Sequence, residues 1–177
     1  RIRVSPDSPF FVRLDGRLFR RISEGVGAEK PFDERFARCL TAAARALFQN
    51  GLGPDLVYVA SDELNVLFSH AAPFRGRVEK IDSVLSGVAS SAFSLALLEA
   101  FGRRLAAAFD SRVVPSPLEG VPEYLAWRQG EAWRNHNNAY AYWLLRGKGH
   151  SSAEAAEALR GLKAEGVHDL LFRHGVN

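Results

Sequence analysis

Apolar positions recur along this chain with two different periods, and the switches between them outline its elements. Residues 10 to 15 (Phe10-Phe11-Val12-Arg13-Leu14-Asp15) form a short β-prone run, as expected of a central strand, and it closes at Asp15-Gly16. From Asp33 to Gln49 the apolar residues Phe36, Cys39, Leu40, Ala43 and Leu47 return at helical spacing, with Asp33 placed to cap the start and Asn50-Gly51 to stop it. Leu56 to Ala60 and Leu64 to Phe68 read as strands. They flank Ser61-Asp62-Glu63, a turn too short for any crossover. A helical pattern from Arg77 to Phe101 carries the small residues Ser83, Ser86, Gly87, Ala89, Ser90 and Ser91, which let it lie close on a sheet. Phe109 to Val114 reads as a fourth strand.

The order β-α-β-β-α-β predicts an α+β, ferredoxin-like arrangement. In that topology the first strand lies between the third and fourth, antiparallel to both. Its end then meets the hairpin turn and the start of the fourth strand, so Asp15, Asp62, Glu63 and Asp110 converge. Beyond Pro117 the pattern is helical: Val121 to Leu145, and Ser151 to Leu159 with Ser151 and Glu154 spaced as a capping box. The expected organisation is residues 1–117 as the main domain and 118–177 as a helical extension packed on the same structural unit.

Composition narrows the class. The 177 residues are 47% apolar and 24% charged, as in an ordinary globular domain. No apolar run reaches membrane-spanning length and no signal-peptide pattern opens the chain, so no membrane association and a cytoplasmic location are expected. The single cysteine, Cys39, excludes a disulfide framework or a thiolate metal site. A net charge of +3 permits a nucleic-acid partner without requiring one.

Carboxylates meeting at one sheet end in a basic chain suggest a magnesium site that works on phosphates. Taken singly, Asp15-Gly16 is a turn and Asp62-Glu63 a solvated hairpin; the topology joins them. Arg77 and Lys80, three apart on the first turn of the long helix and accompanied by Arg75 and Lys30, read either as a seat for a triphosphate or as a solvated face. Gly51-Leu52-Gly53 lacks the third glycine of a dinucleotide fingerprint, and Gly147-Lys148 lacks P-loop spacing. The five histidines form no zinc spacing with Cys39, and Ser61 has no evident histidine base.

Arg13-Leu14-Asp15-Gly16-Arg17 with Phe19, Lys30-Pro31 with Asp33, Ser61-Asp62-Glu63, Arg77 with Lys80, Phe109-Asp110-Ser111-Arg112-Val113-Val114, Tyr124-Leu125-Ala126-Trp127-Arg128-Gln129 and Leu171-Phe172 occur in that order over almost the whole chain. In these segments the sequence resembles the tRNA-His guanylyltransferase family and its Thg1-like relatives, the 3′-to-5′ RNA polymerases. The resemblance implies a polymerase-palm-like catalytic domain, two Mg²⁺ ions and a homotetramer. It further implies a nucleotidyltransferase that adds nucleotides to tRNA 5′ ends by template-directed repair, tRNA-His guanylylation or both, and that uses ATP, GTP and other NTPs.

Carried over by position, Asp15, Asp62 and Glu63 are the catalytic acids, and Asp15, Asp62 and the Gly16 carbonyl are the metal ligands. Arg17, Lys30, Ser61, Arg77 and Lys80 fall near nucleotide and phosphate groups, and Arg128, Arg134 and Asn135 are candidate RNA contacts. Trp133-Arg134-Asn135-His136 stands where the guanylyltransferases carry His-Ile-Asn-Asn, which implies the Thg1-like repair branch. Two other readings use the same residues. A palm-type nucleotide cyclase would share the metal layout. A non-catalytic ferredoxin-like RNA-binding module would need Phe10, Phe11, Tyr58 and Phe68 exposed on the sheet.

Overall fold

A computed structural model describes residues 2–5 and 8–176. Four strands, β1 (Phe10–Gly16), β2 (Leu56–Ala60), β3 (Glu63–Phe68) and β4 (Phe109–Pro115), form one antiparallel sheet in the order β2-β3-β1-β4. Between them run α1 (Phe19–Gly25), α2 (Glu34–Gln49) and α3 (Val78–Phe101); α4 (Val121–Gly147), α5 (Ser152–Leu159) and α6 (Ala164–Arg173) follow. The chain divides into two compact units, residues 1–126 and 127–177, with the boundary inside α4. The first turn of α4 is held in the first unit by Tyr124, whose ring stacks on Phe11 at 4.1 Å and whose hydroxyl donates to Asn65 Oδ1 at 2.7 Å.

Strand alternation gives the sheet two unlike faces. Phe10, Val12 and Leu14 of β1 and Leu64, Val66 and Phe68 of β3 enter the core with α2 and α3. The opposite face carries Phe11, Arg13 and Asp15 of β1, set against Leu67, Asn65 and Glu63 of β3 and Val114, Arg112 and Asp110 of β4. Because Phe10, Phe11 and Phe68 are all buried, the aromatic platform required of an RNA-binding sheet is missing at three of its four positions.

Asp33 caps α2 as the spacing predicts. Its carboxylate accepts from the Arg35 backbone N–H at 2.8 Å, the Glu29 N–H at 2.9 Å and the Arg35 guanidinium at 2.7 Å. The Arg35 guanidinium, against an opposing effect of burial and aided by the two backbone donors, holds this carboxyl far below the usual carboxylate range. In α3, Asp82 accepts from the Ser111 hydroxyl, Ser90 Oγ from the Phe109 N–H and Ser94 Oγ from the Ala107 N–H, at 2.7, 3.0 and 3.0 Å. Rising helix numbers meet falling strand numbers, so α3 lies antiparallel to β4 on the core face, and its serines do the bonding.

The sequence expectation about membrane-length segments needs correction at this helix. Val78–Phe101, 24 residues long and carrying an 18-residue stretch with a mean hydropathy of 1.6, is long and apolar enough to cross a bilayer. Its Ile81, Leu85, Ala89, Phe93 and Leu97 are nevertheless fully buried at a spacing of four. That single stripe, packed on a sheet, is the signature of a core helix.

Two helices escaped the sequence pattern. α1 is seven residues long, follows a left-handed Leu18 and has no side-chain cap; α6 starts after Lys163 with no side-chain cap either. In the second unit, Ala141 of α4 packs with Val167 and Leu171 of α6, supported by Tyr140, Leu144, Leu159 and Leu170. The Ser151–Glu154 capping box that opens α5 is formed in both directions.

Candidate active site

The site starts from one rule of sheet geometry: residues directly opposed on neighbouring strands share a face and stand about 5 Å apart at Cβ. Asp15 is opposed by Glu63 on β3 and by Asp110 on β4, which makes a row of three carboxylates at one end of the sheet. One step back, Arg13 is opposed by Asn65 and Arg112. Asp62 completes the acid group from the β2–β3 turn, where Ser61 takes a left-handed conformation (φ 55°) and the Asp62 carbonyl accepts from the Gly16 N–H at 3.0 Å. The sequence reading put Glu63 in that turn. Glu63 is instead the first residue of β3, because it pairs with both Ala60 and Asp15.

Charge accumulates here faster than it is relieved. Arg13 Nη2 donates to Asp15 Oδ2 at 2.7 Å and to Glu63 Oε1 at 2.5 Å. Arg112 reaches Asp110 at 3.4 Å. Burial first, then the neighbouring Asp15 and Glu63 charges, push the Asp62 carboxyl above its usual range, although hydrogen bonds from its own backbone and from Ser61 oppose the shift. Two buried donors on directly opposed residues, Arg13 Nε and Asn65 Nδ2, have no partner.

Gly16 is required for space. A Cβ there would stand 2.5 Å from the Phe19 ring, which packs at 4.7 Å on Phe93 and 4.9 Å on Phe109. The aromatic cluster under α1 thus fixes the backbone that follows Asp15.

The donor set of carboxylate oxygens and a nearby glycine carbonyl suits a hard divalent cation, and an excess of like charge is what such an ion relieves. Among the described residues, no three carboxylate, imidazole or thiolate groups are yet arranged around one point.

The remaining expected site residues are placed as follows. Arg17 is exposed, donates its N–H to Ala108 O at 2.8 Å, and with Arg21 lines a cavity of about 400 Å³ between α1 and residues 105–108. Lys30 Nζ donates to Ser23 Oγ at 2.9 Å. Arg77 precedes α3 and its Nε donates to Phe74 O at 3.4 Å, while the Lys80 ammonium lies 5.0 Å from the Phe74 ring. This basic helix start was expected beside the acids. It follows β3 through the 73–77 turn, which bonds to residues 2–4, and opens a helix on the core face whose Asp82 accepts from Ser111, the neighbour of Asp110.

In the second unit, Arg128 is buried and its guanidinium lies 4.6 Å from the Trp127 ring, Arg134 pairs with Glu131, and Asn135 is exposed. The residue that sequence reasoning passed over is Arg13. Its position two before Asp15 on a strand puts both on one face, and that signal was available.

The profile of the tRNAHis guanylyltransferase family (Thg1) matches residues 1–117. A probable tRNA(His) guanylyltransferase of Drosophila melanogaster is 32% identical over 98% of this chain and 63% of its own length. Among solved structures, a bacterial tRNA(His) guanylyltransferase (Thg1)-like protein in complex with GTP aligns with a TM-score of 0.74 at 31% identity, covering 80% of this chain and 69% of that one. A bacterial Thg1-like protein in complex with ATP aligns at 0.76 with 28% identity, over 91% and 74%. An antiparallel α+β fold with acids gathered at one sheet end defines the broad class, and within it this chain belongs to the tRNAHis guanylyltransferase family. It spans under two thirds of the length of the Drosophila relative.

Proposed function

We propose that this chain is a metal-dependent nucleotidyltransferase that adds nucleotides to the 5′ end of tRNA in the 3′-to-5′ direction, on a ferredoxin-like, palm-type sheet. The observation that carries the reading is the in-register row Glu63–Asp15–Asp110, with Asp62 beside it, inside the segment that matches the family. In this reading Asp15, Asp62 and the Gly16 carbonyl hold two Mg²⁺ ions, and Glu63 is the adjoining acid. When bound, such ions polarise phosphoryl oxygens and offset the charge of a polyphosphate leaving group.

The chain's own groups position the reactants, which is most of what phosphoryl transfer asks of a protein. Arg17, Lys30 and Ser61 serve the nucleotide near the acids, with Arg77 and Lys80 as further phosphate contacts; Arg128, Arg134 and Asn135 serve RNA. A 5′-monophosphate end attacks the α-phosphate of ATP or GTP and is capped with AMP or GMP as pyrophosphate leaves; the 3′-hydroxyl of an incoming nucleotide then attacks the activated 5′-phosphate and displaces the AMP or GMP. The active form is a homotetramer in the cytoplasm, where an unpaired Cys39 is compatible with reducing conditions.

Purified protein incubated with 5′-truncated tRNA, ATP, Mg²⁺ and each NTP in turn tests the activity. Trp133 and Arg134 stand in place of His-Ile, so the added nucleotide is set by pairing with the opposite strand of the acceptor stem. Changing that opposing base should change the nucleotide incorporated. Guanosine addition regardless of the base, lost when the tRNA-His anticodon is altered, would restore the tRNA-His-specific reading. No addition with any NTP would remove the activity itself.

A further inference from the structure

We propose that Arg13 is a displaceable counter-ion: it holds Asp15 and Glu63 together while no divalent cation is bound, and it yields Asp15 when one arrives. This rests on the metal reading above.

Three observations lead to it. First, one guanidinium nitrogen, Arg13 Nη2, bridges both acids, at 2.7 Å to Asp15 Oδ2 and 2.5 Å to Glu63 Oε1. A cation already stands on Asp15, a carboxylate that a divalent ion would use, and ties it to the adjoining acid Glu63. Asp15 and Glu63 are directly opposed on adjacent strands, and like charges so placed destabilise a sheet unless something stands between them.

Second, the bridge is made at the expense of the rest of the side chain. Arg13 Nε is buried without an acceptor, and Asn65 Nδ2, on the opposed residue of the same face, is in the same condition. Asn65 is held in place by Tyr124, so it does not turn to relieve the mismatch. A guanidinium satisfied on one nitrogen and orphaned on another is poised to move, because an unmade buried hydrogen bond costs more than a made one contributes.

Third, the local charge count fits an exchange. Among the described residues, Arg13 bridges Asp15 and Glu63, and Arg112 pairs with Asp110. Withdrawing Arg13 removes one positive charge from between two directly opposed carboxylates. Departure of Arg13 therefore increases the demand for metal, and binding of the metal removes the reason for Arg13 to stay. Arg13 acts through Asp15 and Glu63, so it is a positioning residue.

The test is Mn²⁺ binding followed by electron paramagnetic resonance on the full chain without nucleotide, together with thermal melting in EDTA and in Mn²⁺. Arg13→Gln should bind Mn²⁺ on the order of tenfold more tightly than wild type, the scale on which one charge within ~4–6 Å biases its neighbour. Arg13→Lys keeps the charge and should stay within about threefold of wild type. Arg13→Gln should melt well below wild type in EDTA and recover most of that loss in Mn²⁺, since a ligand bound only by the folded state stabilises it.

Unchanged or weaker Mn²⁺ affinity in Arg13→Gln overturns the inference, because Arg13 would then only preorganise the acids. An Arg13→Gln chain unfolded in both EDTA and Mn²⁺ does so too, since Arg13 would then be structural. A wild-type chain with no Mn²⁺ site sensitive to Asp15→Asn removes the metal reading itself, and this inference with it.

Discussion

The two faces of the sheet are built from the same strands and obey opposite rules. On the core face, β1 contributes Phe10, Val12 and Leu14, all buried, and the polar groups of α3 that reach the sheet, Asp82, Ser90 and Ser94, each have a partner. On the other face, the alternate residues Arg13 and Asp15 meet Asn65, Glu63 and Asp110; acids accumulate there and two buried donors stay unmatched. A one-residue register slip of β1 would exchange the two sets, so the apolar residues that secure the register also aim the acids. Packing on one side is the condition for unsatisfied chemistry on the other.

If this division is right, neighbouring residues in one strand should fail in different ways. Asp15→Ala and Asp62→Ala should each lower nucleotide addition by about 10³-fold or more, on the order of 4 kcal/mol of transition-state stabilisation, without lowering the melting temperature. For Asp62 the sign is firmer: the fold raises its carboxyl pKa, so the charged form opposes folding above the usual carboxylate range, and Asp62→Asn should melt no lower than wild type. Activity retained in both alanine variants would end the division. Next door, Leu14→Ala should cost about 3 kcal/mol of stability in a urea titration, because it empties a fully buried site, while the folded fraction keeps its activity.

Most of this geometry was legible in the chain because it rests on short-range patterns. The boundaries of β2 and the start of α2 at Asp33 agree with expectation to the residue, since alternation and a capping aspartate are local signals. The antiparallel placement of β1 between β3 and β4 followed from the order of elements alone. What was missed depends on contacts between distant residues. α1 is held by the packing of Phe19 against Phe36, Phe93 and Phe109, and no seven-residue window shows that. α6 did carry a readable stripe, Val167, Leu170 and Leu171, behind an uncapped start. The bridge from Arg13 to Glu63 joins residues fifty apart, and only the register reveals it.

A smaller effect sharpens the contrast from the core side. Asp33 is buried, capped and charge-paired, a polar group whose every need is met, so Asp33→Ala should cost about 1–2 kcal/mol at neutral pH. Little of that comes from Arg35, which is nearly half exposed. The folded pKa of Asp33 is depressed, so its contribution is complete above the unfolded value near ~4 and is lost as pH falls toward the folded one. Stability of wild type measured by urea titration from pH 7 to pH 3 should therefore fall more steeply than that of Asp33→Asn. Parallel curves would mean that the depressed folded pKa of Asp33 does not persist in solution.

The smallest effects are expected at Arg77 and Lys80, and they bear most directly on which side of the sheet handles phosphate. Both stand at the start of a core-face helix. Arg77 is engaged with the Phe74 carbonyl and Lys80 with the Phe74 ring, and the chain leads to them from β3 through the 73–77 turn. A cation so placed acts through space on a phosphate beyond the sheet edge, where an exposed charge contributes about 0.3–1 kcal/mol. Arg77→Ala and Lys80→Ala should each raise the KM for the nucleotide by about two- to fivefold, leave kcat unchanged, and lose their effect as salt is added. Lys30→Ala, on the segment between α1 and α2, should do more. A loss at Arg77 or Lys80 comparable with that at Asp15 would bring the basic helix start into direct contact with the reacting phosphates, and the two faces could no longer be assigned separately to packing and to chemistry.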